Sequence, residues 1–425
     1  MARLEYINYK PHHAVVESSE IKWELDAVVR SVDGLPQIFW ADGYPWREVN
    51  LWALEMARDR RVKVKTIGSL LYHLHKYANW LEKQAANNRA VDWRHFPQTK
   101  SERVLNRFRG DLIEYRDAGV LKPSTTTARM RAVIRFYRYA GGRNFISRNA
   151  PKWEDKAVVV RYFDDAGFER AMKRLTTDLS IPNRARHGAR LEDGLLPITV
   201  QHMTELLEFT KEGVSEELDL MLKIGFYCGA RLGTITTLHD KALFNAIPDP
   251  AAPGMWSIPV GPGTGIDTKN DVSGHLMLTD VLMGALKVYA TSRRRLARVI
   301  KATDENKSTL FLTRYSNPYT VKAVEREMVT LRRAGLAAGL KFLQDFRFHQ
   351  SRATFGTWLM SICLETGTVK AAIRFVKGAL LHKDERDTFR YVTFIEETKT
   401  KIEMANAFTR AFLGKVAQKA GALDA

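Results

Sequence analysis

The sequence predicts a mainly α-helical protein carrying one small antiparallel β-sheet, and three observations lead there. Apolar residues recur at spacings of three and four along most of the chain, the period of a helix with one buried face. Only around residues 255–280 does this give way to short β-prone runs on either side of a Gly/Asp/Asn-rich bend. At 425 residues the chain exceeds one ordinary core, so two or three domains are expected.

Taken in order, residues 1–45 mix Tyr, Trp and charge with weak periodicity and read as an N-terminal extension of undetermined fold. A helical pattern then begins at Val49 and runs through Leu51, Leu54 and Met56 to Leu70, Leu71, Leu74, Tyr77 and Leu81. Two more helices are expected at Val104–Ala118 and Thr125–Tyr139, the second behind a start signal of Pro123, Ser124 and a Thr run. Residues 46–145 thus read as an all-helical domain. The stretch 146–192, with Pro151, Gly167, Pro182 and Gly188, reads as a linker holding one short helix near Phe168–Leu175. Its cluster Arg184, Arg186 and Arg190 suits a phosphate backbone or a solvated linker equally well.

A second domain, 193–425, opens at Leu196-Pro197-Ile198-Thr199, where Thr199 can cap a helix through Phe209. A helix over Glu217–Tyr227 and a short turn after Arg231 follow. Met255–Val260 and His275–Thr279 are the expected strands. Helices resume at Asp280–Ala297, Val321–Ala338, Ser351–Cys363, Val369–Ala379 and Thr398–Lys419.

The formal charge is +18, which favours a polyanionic partner through phosphate neutralisation and counterion release. Residues 51–150 hold 21 Lys and Arg against 8 Asp and Glu, a net +13, so the excess is concentrated as on a binding surface. Composition alone does not separate DNA from RNA or an anionic membrane. Cys228 and Cys363 stand far apart with no CxxC pair, which argues against a disulfide framework and a zinc ribbon. No apolar run reaches the length of a membrane span, and the start lacks the pattern of a secretory signal. A cytosolic protein is expected.

Four signals in the second domain bear on chemistry. Gly229-Ala230-Arg231-Leu232-Gly233 puts an Arg at a helix junction, where it can be aimed at an anion. His349-Gln350-Ser351-Arg352 puts a His and an Arg three apart, on one helical face. The guanidinium fork matches a phosphate and the imidazole offers a donor or a proton acceptor. Leu380-Leu381-His382 precedes Thr388-Phe389-Arg390-Tyr391, and Lys269 sits near the end of the hairpin bend. Each alone has a bland reading: a salt-bridged Arg, a chance HxxR, a packed His or Tyr, a solvated Lys. Gly261, Gly263 and Gly265 fit no nucleotide loop, because the terminal Gly-Lys-Ser/Thr is missing, and read as turn residues.

Together, in this order and spacing, the four signals resemble the tyrosine recombinase (phage integrase) family, whose catalytic domain carries Arg, a hairpin Lys, HxxR, a His or Trp, and Tyr nine positions later. His382 and Tyr391 keep that interval. Leu310-Phe311-Leu312 looks like the usual lead-in to the HxxR helix, and 46–145 is similar to the family's core-binding domain. The resemblance covers roughly 46–400. Thr234 stands where an acidic residue is usual, Leu381 where Gly is common, and Arg352 to His382 is longer than typical, suggesting an insertion near Glu365–Lys370.

The resemblance implies a helical, SAM-like core-binding domain and a catalytic domain of the DNA breaking-rejoining fold. It implies a recombinase that cuts double-stranded DNA through a 3′-phosphotyrosine, with Arg231, Lys269, His349, Arg352, His382 and Tyr391 catalytic. Arg231, Arg352 and His382 would hold the phosphate, with the Arg charges favouring the phenolate. His349 would assist proton removal from the Tyr391 hydroxyl or hold the phosphate, and Lys269 would protonate the departing 5′-oxygen. No cofactor and no metal is implied. Four protomers would hold two duplexes, each docking a C-terminal helix on its neighbour through Ile402, Met404, Ala405, Phe408, Phe412 and Val416; an intramolecular closing helix is the bland alternative. Whether an accessory DNA-bending or directionality protein takes part stays open, as does the choice among integration, excision, transposition and dimer resolution. Competing readings are a topoisomerase-like or telomere-resolving enzyme, an architectural or regulatory DNA binder that kept the fold without strand transfer, and a basic helical nucleic-acid binder with chance motifs.

Overall fold

The first stretch of chain, which lacks a helical period, forms strands. The computed structural model describes residues 1–17, 20–26, 28–59, 62–87, 91–163, 169–183 and 191–421. They divide into two compact units, Met1–Arg186 and His187–Ala425.

In the first unit β1 (Arg3–Tyr9) pairs antiparallel with β4 (Val32–Phe39), and β2 (His12–Glu17) with β3 (Glu20–Leu25). Val32, Leu35 and Ile38 of β4 enter the same core as the helices, and the buried Asn50 amide bonds both the N–H and the C=O of Ile38. The helices are α1 (Arg47–Arg58), α2 (Val64–Ala86), α3 (Val104–Asp117) and α4 (Pro123–Gly142). Their centre is aromatic. Trp46 lies within 6.2 Å of the ring centroids of Trp40, Tyr77, Trp93 and Phe136. Two of the buried hydroxyls are paired: Tyr77 and Tyr137 share a 2.7 Å bond, and Tyr137 donates to the Trp93 carbonyl.

After α4 come β5 (Asp155–Phe163) and β6 (Glu169–Thr177), an antiparallel pair in register from Asp155↔Thr177 to Phe163↔Glu169. This corrects the helix expected near Phe168–Leu175. Ala, Met, Lys, Arg and Leu favour a helix locally, but the valines of β5 supply a pairing edge, and tertiary pairing overrides propensity. Arg184, Arg186 and Arg190 lie outside the described residues.

In the second unit Thr199 caps α5 (Val200–Gly213), its hydroxyl accepting from the His202 N–H. α6 (Glu216–Cys228) ends at Gly229 in the left-handed region, φ 67°. α7 (Leu232–Ile235) and α8 (Asp240–Phe244) lead to a three-stranded antiparallel sheet, β7 (Ile247–Pro248), β8 (Met255–Val260) and β9 (Gly274–Thr279), paired in that order. The hairpin glycines Gly261, Gly263 and Gly265 all have positive φ, which suits turn residues.

Two helices, α9 (Asp280–Ala290) and α10 (Arg293–Lys301), replace the single one expected, because Ser292 caps a new start. α11 (Val321–Ala337), α12 (His349–Thr366) and α13 (Val369–Ala379) follow. Glu365–Lys370, where an insertion is expected, holds the end of α12, a two-residue break at Gly367 and Thr368, and the start of α13. The last helix, α14 (Glu385–Gly421), starts before the Thr398 expected and carries Tyr391. A large core joins α5, α6, β8, β9, α9 and α11, and a smaller one gathers Leu191, Ala353, Met360, Val376, Leu380, Tyr391 and Ile395. The fold is mainly helical with small antiparallel sheets. The sheets number four rather than one among the described residues.

Candidate active site

Two close approaches build the site. A side chain on Gly225 of α6 would meet Ser351 of α12, so the absence of one lets these helices touch. Gly229 is constrained twice: its φ is positive, and a Cβ there would collide with the Phe355 ring. The turn it makes delivers Arg231, half-buried, with Nη1 3.5 and 3.3 Å from the carbonyls of Leu380 and Leu381.

On α12 the buried Arg352 donates from Nη1 to the Gly229 carbonyl at 2.6 Å and from Nη2 to that of Leu380 at 2.5 Å. His349, one turn earlier, is half-buried. His382 is buried after the left-handed Leu381 (φ 51°). Its Nδ1 lies 2.8 Å from the Thr388 hydroxyl. Tyr391 is buried to 1% exposure on α14, its ring against Gly356 of α12.

These side chains meet at Glu192, which sits in a single 3-10 turn, Glu192–Gly194, ahead of α5. Glu192 Oε1 accepts from Arg352 Nε at 2.7 Å, from His382 Nε2 at 2.9 Å and from the Tyr391 hydroxyl at 3.2 Å. Oε2 accepts from His349 Nε2 at 3.1 Å. With Nε2 donating to a carboxylate, neutral His382 is the Nε2–H tautomer and its Nδ1 accepts from Thr388.

Burial alone would push the Glu192 carboxyl up, but the bonds from His349 and His382 and the charge of Arg352 hold it well below the usual carboxylate range. Burial, against the bond to Glu192, moves His382 down and favours its neutral form. Burial first, and the Glu192 charge second, hold the Tyr391 hydroxyl well above the ordinary tyrosine value despite Arg352 and Arg231. Both arginines favour the phenolate as expected, but in this arrangement a dry site with a carboxylate already in it outweighs them. Two imidazoles beside a carboxylate suggest metal ligation, but the Arg352 guanidinium in contact with the same oxygen disfavours a cation there.

Of the six residues the sequence singles out, five lie around this one position. Lys269 stands exposed on the bend between β8 and β9. Sequence reasoning missed Glu192 and Gly356. For Glu192 the one available hint is Thr234: a site with two arginines and no local acid draws a compensating carboxylate from elsewhere.

The chain has the fold of the tyrosine recombinases. Among solved structures it is similar to the Tn1549 transposon integrase in complex with transposon right end DNA, at 14% identity and TM-score 0.51, over 84% of this chain and 98% of that one. It is similar to the same integrase with circular intermediate DNA at TM-score 0.50 and 14% identity, over 83% and 99% of the two chains. A lambda integrase dimer bound to a COC′ core site matches at TM-score 0.48 and 14% identity, over 81% and 92%. No protein-family description matches the chain. No curated protein matches it either. No helix among the described residues is long and apolar enough to cross a membrane.

Proposed function

We propose that this protein is a DNA strand transferase of the site-specific recombinase kind, cutting and rejoining duplex DNA through Tyr391. The observation that carries this reading is the convergence of Arg352, His349, His382 and Tyr391 on the Glu192 carboxylate, with Arg231 beside them on the Leu380 carbonyl that Arg352 also bonds.

In the reaction the Tyr391 oxygen attacks phosphorus, forming a 3′-phosphotyrosine as the bond to the 5′-oxygen breaks. His349 takes the phenolic proton and Lys269 supplies one to the leaving oxygen. The two guanidiniums and His382 Nε2–H offset charge on the non-bridging oxygens. A 5′-hydroxyl from the partner strand reverses the step, so the bond energy is kept. The basic surplus of the first unit would grip the phosphate backbone, and Lys269 would be delivered by the hairpin when DNA is bound. A tetramer on two duplexes, joined through the C-terminal helix, would coordinate the cuts. Ile402 and Met404 of that helix are exposed, which is compatible with docking; the side chains of Phe408, Phe412 and Val416 lie outside the described residues.

The test is covalent trapping of the full chain on a pool of nicked suicide duplexes with randomised cores. A protein–DNA adduct is expected that survives denaturation and is lost in Tyr391→Phe. An adduct that persists in Tyr391→Phe overturns the assignment of the nucleophile. No adduct with any duplex, with duplex binding retained, favours an architectural DNA binder with this fold.

A further inference from the structure

Glu192 is none of the six residues assigned to strand transfer above, yet it makes contacts a scissile phosphate would need. Its two oxygens accept from Arg352, His349 and His382, and one lies 3.2 Å from the nucleophilic hydroxyl. A carboxylate is planar and a phosphate tetrahedral, but both present anionic oxygens that recruit the same guanidinium and imidazole donors. Two such anions do not share one set of donors a few ångströms apart in a dry site, because each raises the other's energy. We infer that Glu192 is an intramolecular phosphate mimic that closes the DNA-free site and must leave it before a substrate phosphate can be bound; this rests on the strand-transfer reading for what the substrate is.

Two alternative roles fit less well. As a general base for Tyr391, Glu192 would need appreciable proton affinity. Its contacts with two imidazoles and a guanidinium stabilise the carboxylate, and its charge opposes formation of the phenolate beside it. As a mere brace for Arg352 it would be redundant in part, since the carbonyls of Gly229 and Leu380 already hold Nη1 and Nη2. A brace also has no need to contact the nucleophile and both histidines.

The local chain suits a residue that moves without unfolding its surroundings. Glu192 belongs to one 3-10 turn rather than to a long helix. The neighbouring Leu191 is buried against Tyr391 and Val376 in the smaller core. Its N–H donates to the Leu195 carbonyl and its carbonyl accepts from Gly194, so the turn has its own anchor. Rotation of the Glu192 side chain clears the donors while that anchor stays.

The test uses inorganic phosphate as the probe and calorimetric titration of the full chain at constant ionic strength. Glu192→Ala is expected to bind phosphate at least about tenfold more tightly than the unaltered chain, the equivalent of one charge-assisted hydrogen bond to the anion. Adding His349→Ala should remove much of that gain, which locates the binding. Affinity that is unchanged or weaker in folded Glu192→Ala overturns the proposal and makes Glu192 a brace. Should Glu192→Ala not fold, Glu192→Gln, which keeps the shape and removes the charge, is judged by the same criterion. The unaltered chain decides independently of both: tight phosphate binding at this site with Glu192 in place overturns the proposal. Adduct formation on nicked duplexes is read separately. A gain in phosphate affinity without any adduct keeps the mimic and discards the enzyme; an adduct without the gain does the reverse.

Discussion

Gly356→Ala isolates the contact that seats the Tyr391 ring. An alanine Cβ at this position would lie 2.6, 2.7 and 2.9 Å from Cε1, Cζ and Oη of Tyr391. Ordinary carbon contacts begin near 3.5 Å, so the ring has to retreat by roughly 1 Å. Overpacking of that kind costs about 2 kcal/mol, while replacing a mid-helix glycine by alanine returns about 1 kcal/mol of helix propensity. The net is a loss of about 1 kcal/mol, or a fall of about 3 °C in the melting temperature of a unit this size.

The same displacement carries the phenolic oxygen off line, and a misplacement of about 1 Å can slow a reaction about 100-fold. Gly284→Ala, in α9 of the same unit with nothing within 4 Å of the new Cβ, is the control; it should gain about 0.5–1 kcal/mol. The assays are scanning calorimetry and the rate of adduct formation on nicked duplexes. If Gly356→Ala is stabilised as much as Gly284→Ala and forms adduct at the parental rate, the close approach does not hold Tyr391 and the geometric argument fails.

Two further predictions concern the same cluster. The Glu192 carboxyl lies below its unfolded value of 4.5, so the stability it contributes is present above about pH 4.5 and is lost as pH falls. The difference in melting temperature between the unaltered chain and Glu192→Gln should therefore shrink steadily below about pH 4.5; a difference that stays constant to pH 3 contradicts the contribution assigned to the carboxylate. Leu381→Gly relieves a left-handed backbone, worth about 1 kcal/mol, but removes a buried side chain worth about 2–3 kcal/mol. A net loss of about 1–2 kcal/mol by denaturant unfolding is expected, and a gain would show that the Leu381 side chain, which packs at Gly274, contributes little.

Much of this site was readable because its residues are spaced by rigid elements. His349 and Arg352 are one helical turn apart, and His382 and Tyr391 are separated by a tight turn and the start of α14. The backbone at Leu381 is left-handed (φ 51°), a conformation glycine adopts without strain. Glu192 was not readable, since a lone acid in an irregular stretch has no period and its partners lie 157 to 199 residues away. The β2–β3 ribbon was legible in part, since Glu20-Ile21-Lys22-Trp23-Glu24-Leu25 alternates polar and apolar residues as a strand does; the run is short and its apolar side, Ile21, Trp23 and Leu25, stays exposed, so no core confirms it. α14 was begun too late because Thr388, Val392, Thr393 and Thr398 are weak helix formers; packing of Tyr391, Val392 and Ile395 into the smaller core makes up for it.

Tyr391 and the residues out to Gly421 ride on one helix of 37 residues, about 55 Å of rod. Tyr391 lies in its second turn, and some thirty residues, about 45 Å, extend beyond. A tilt of about 5° about the buried end sweeps the far tip through about 4 Å. Run backwards, the same leverage converts a displacement of several ångströms at the tail into a rotation of a few degrees at the phenol, a gearing-down by which whatever grasps the distal end can set the aim of the hydroxyl finely.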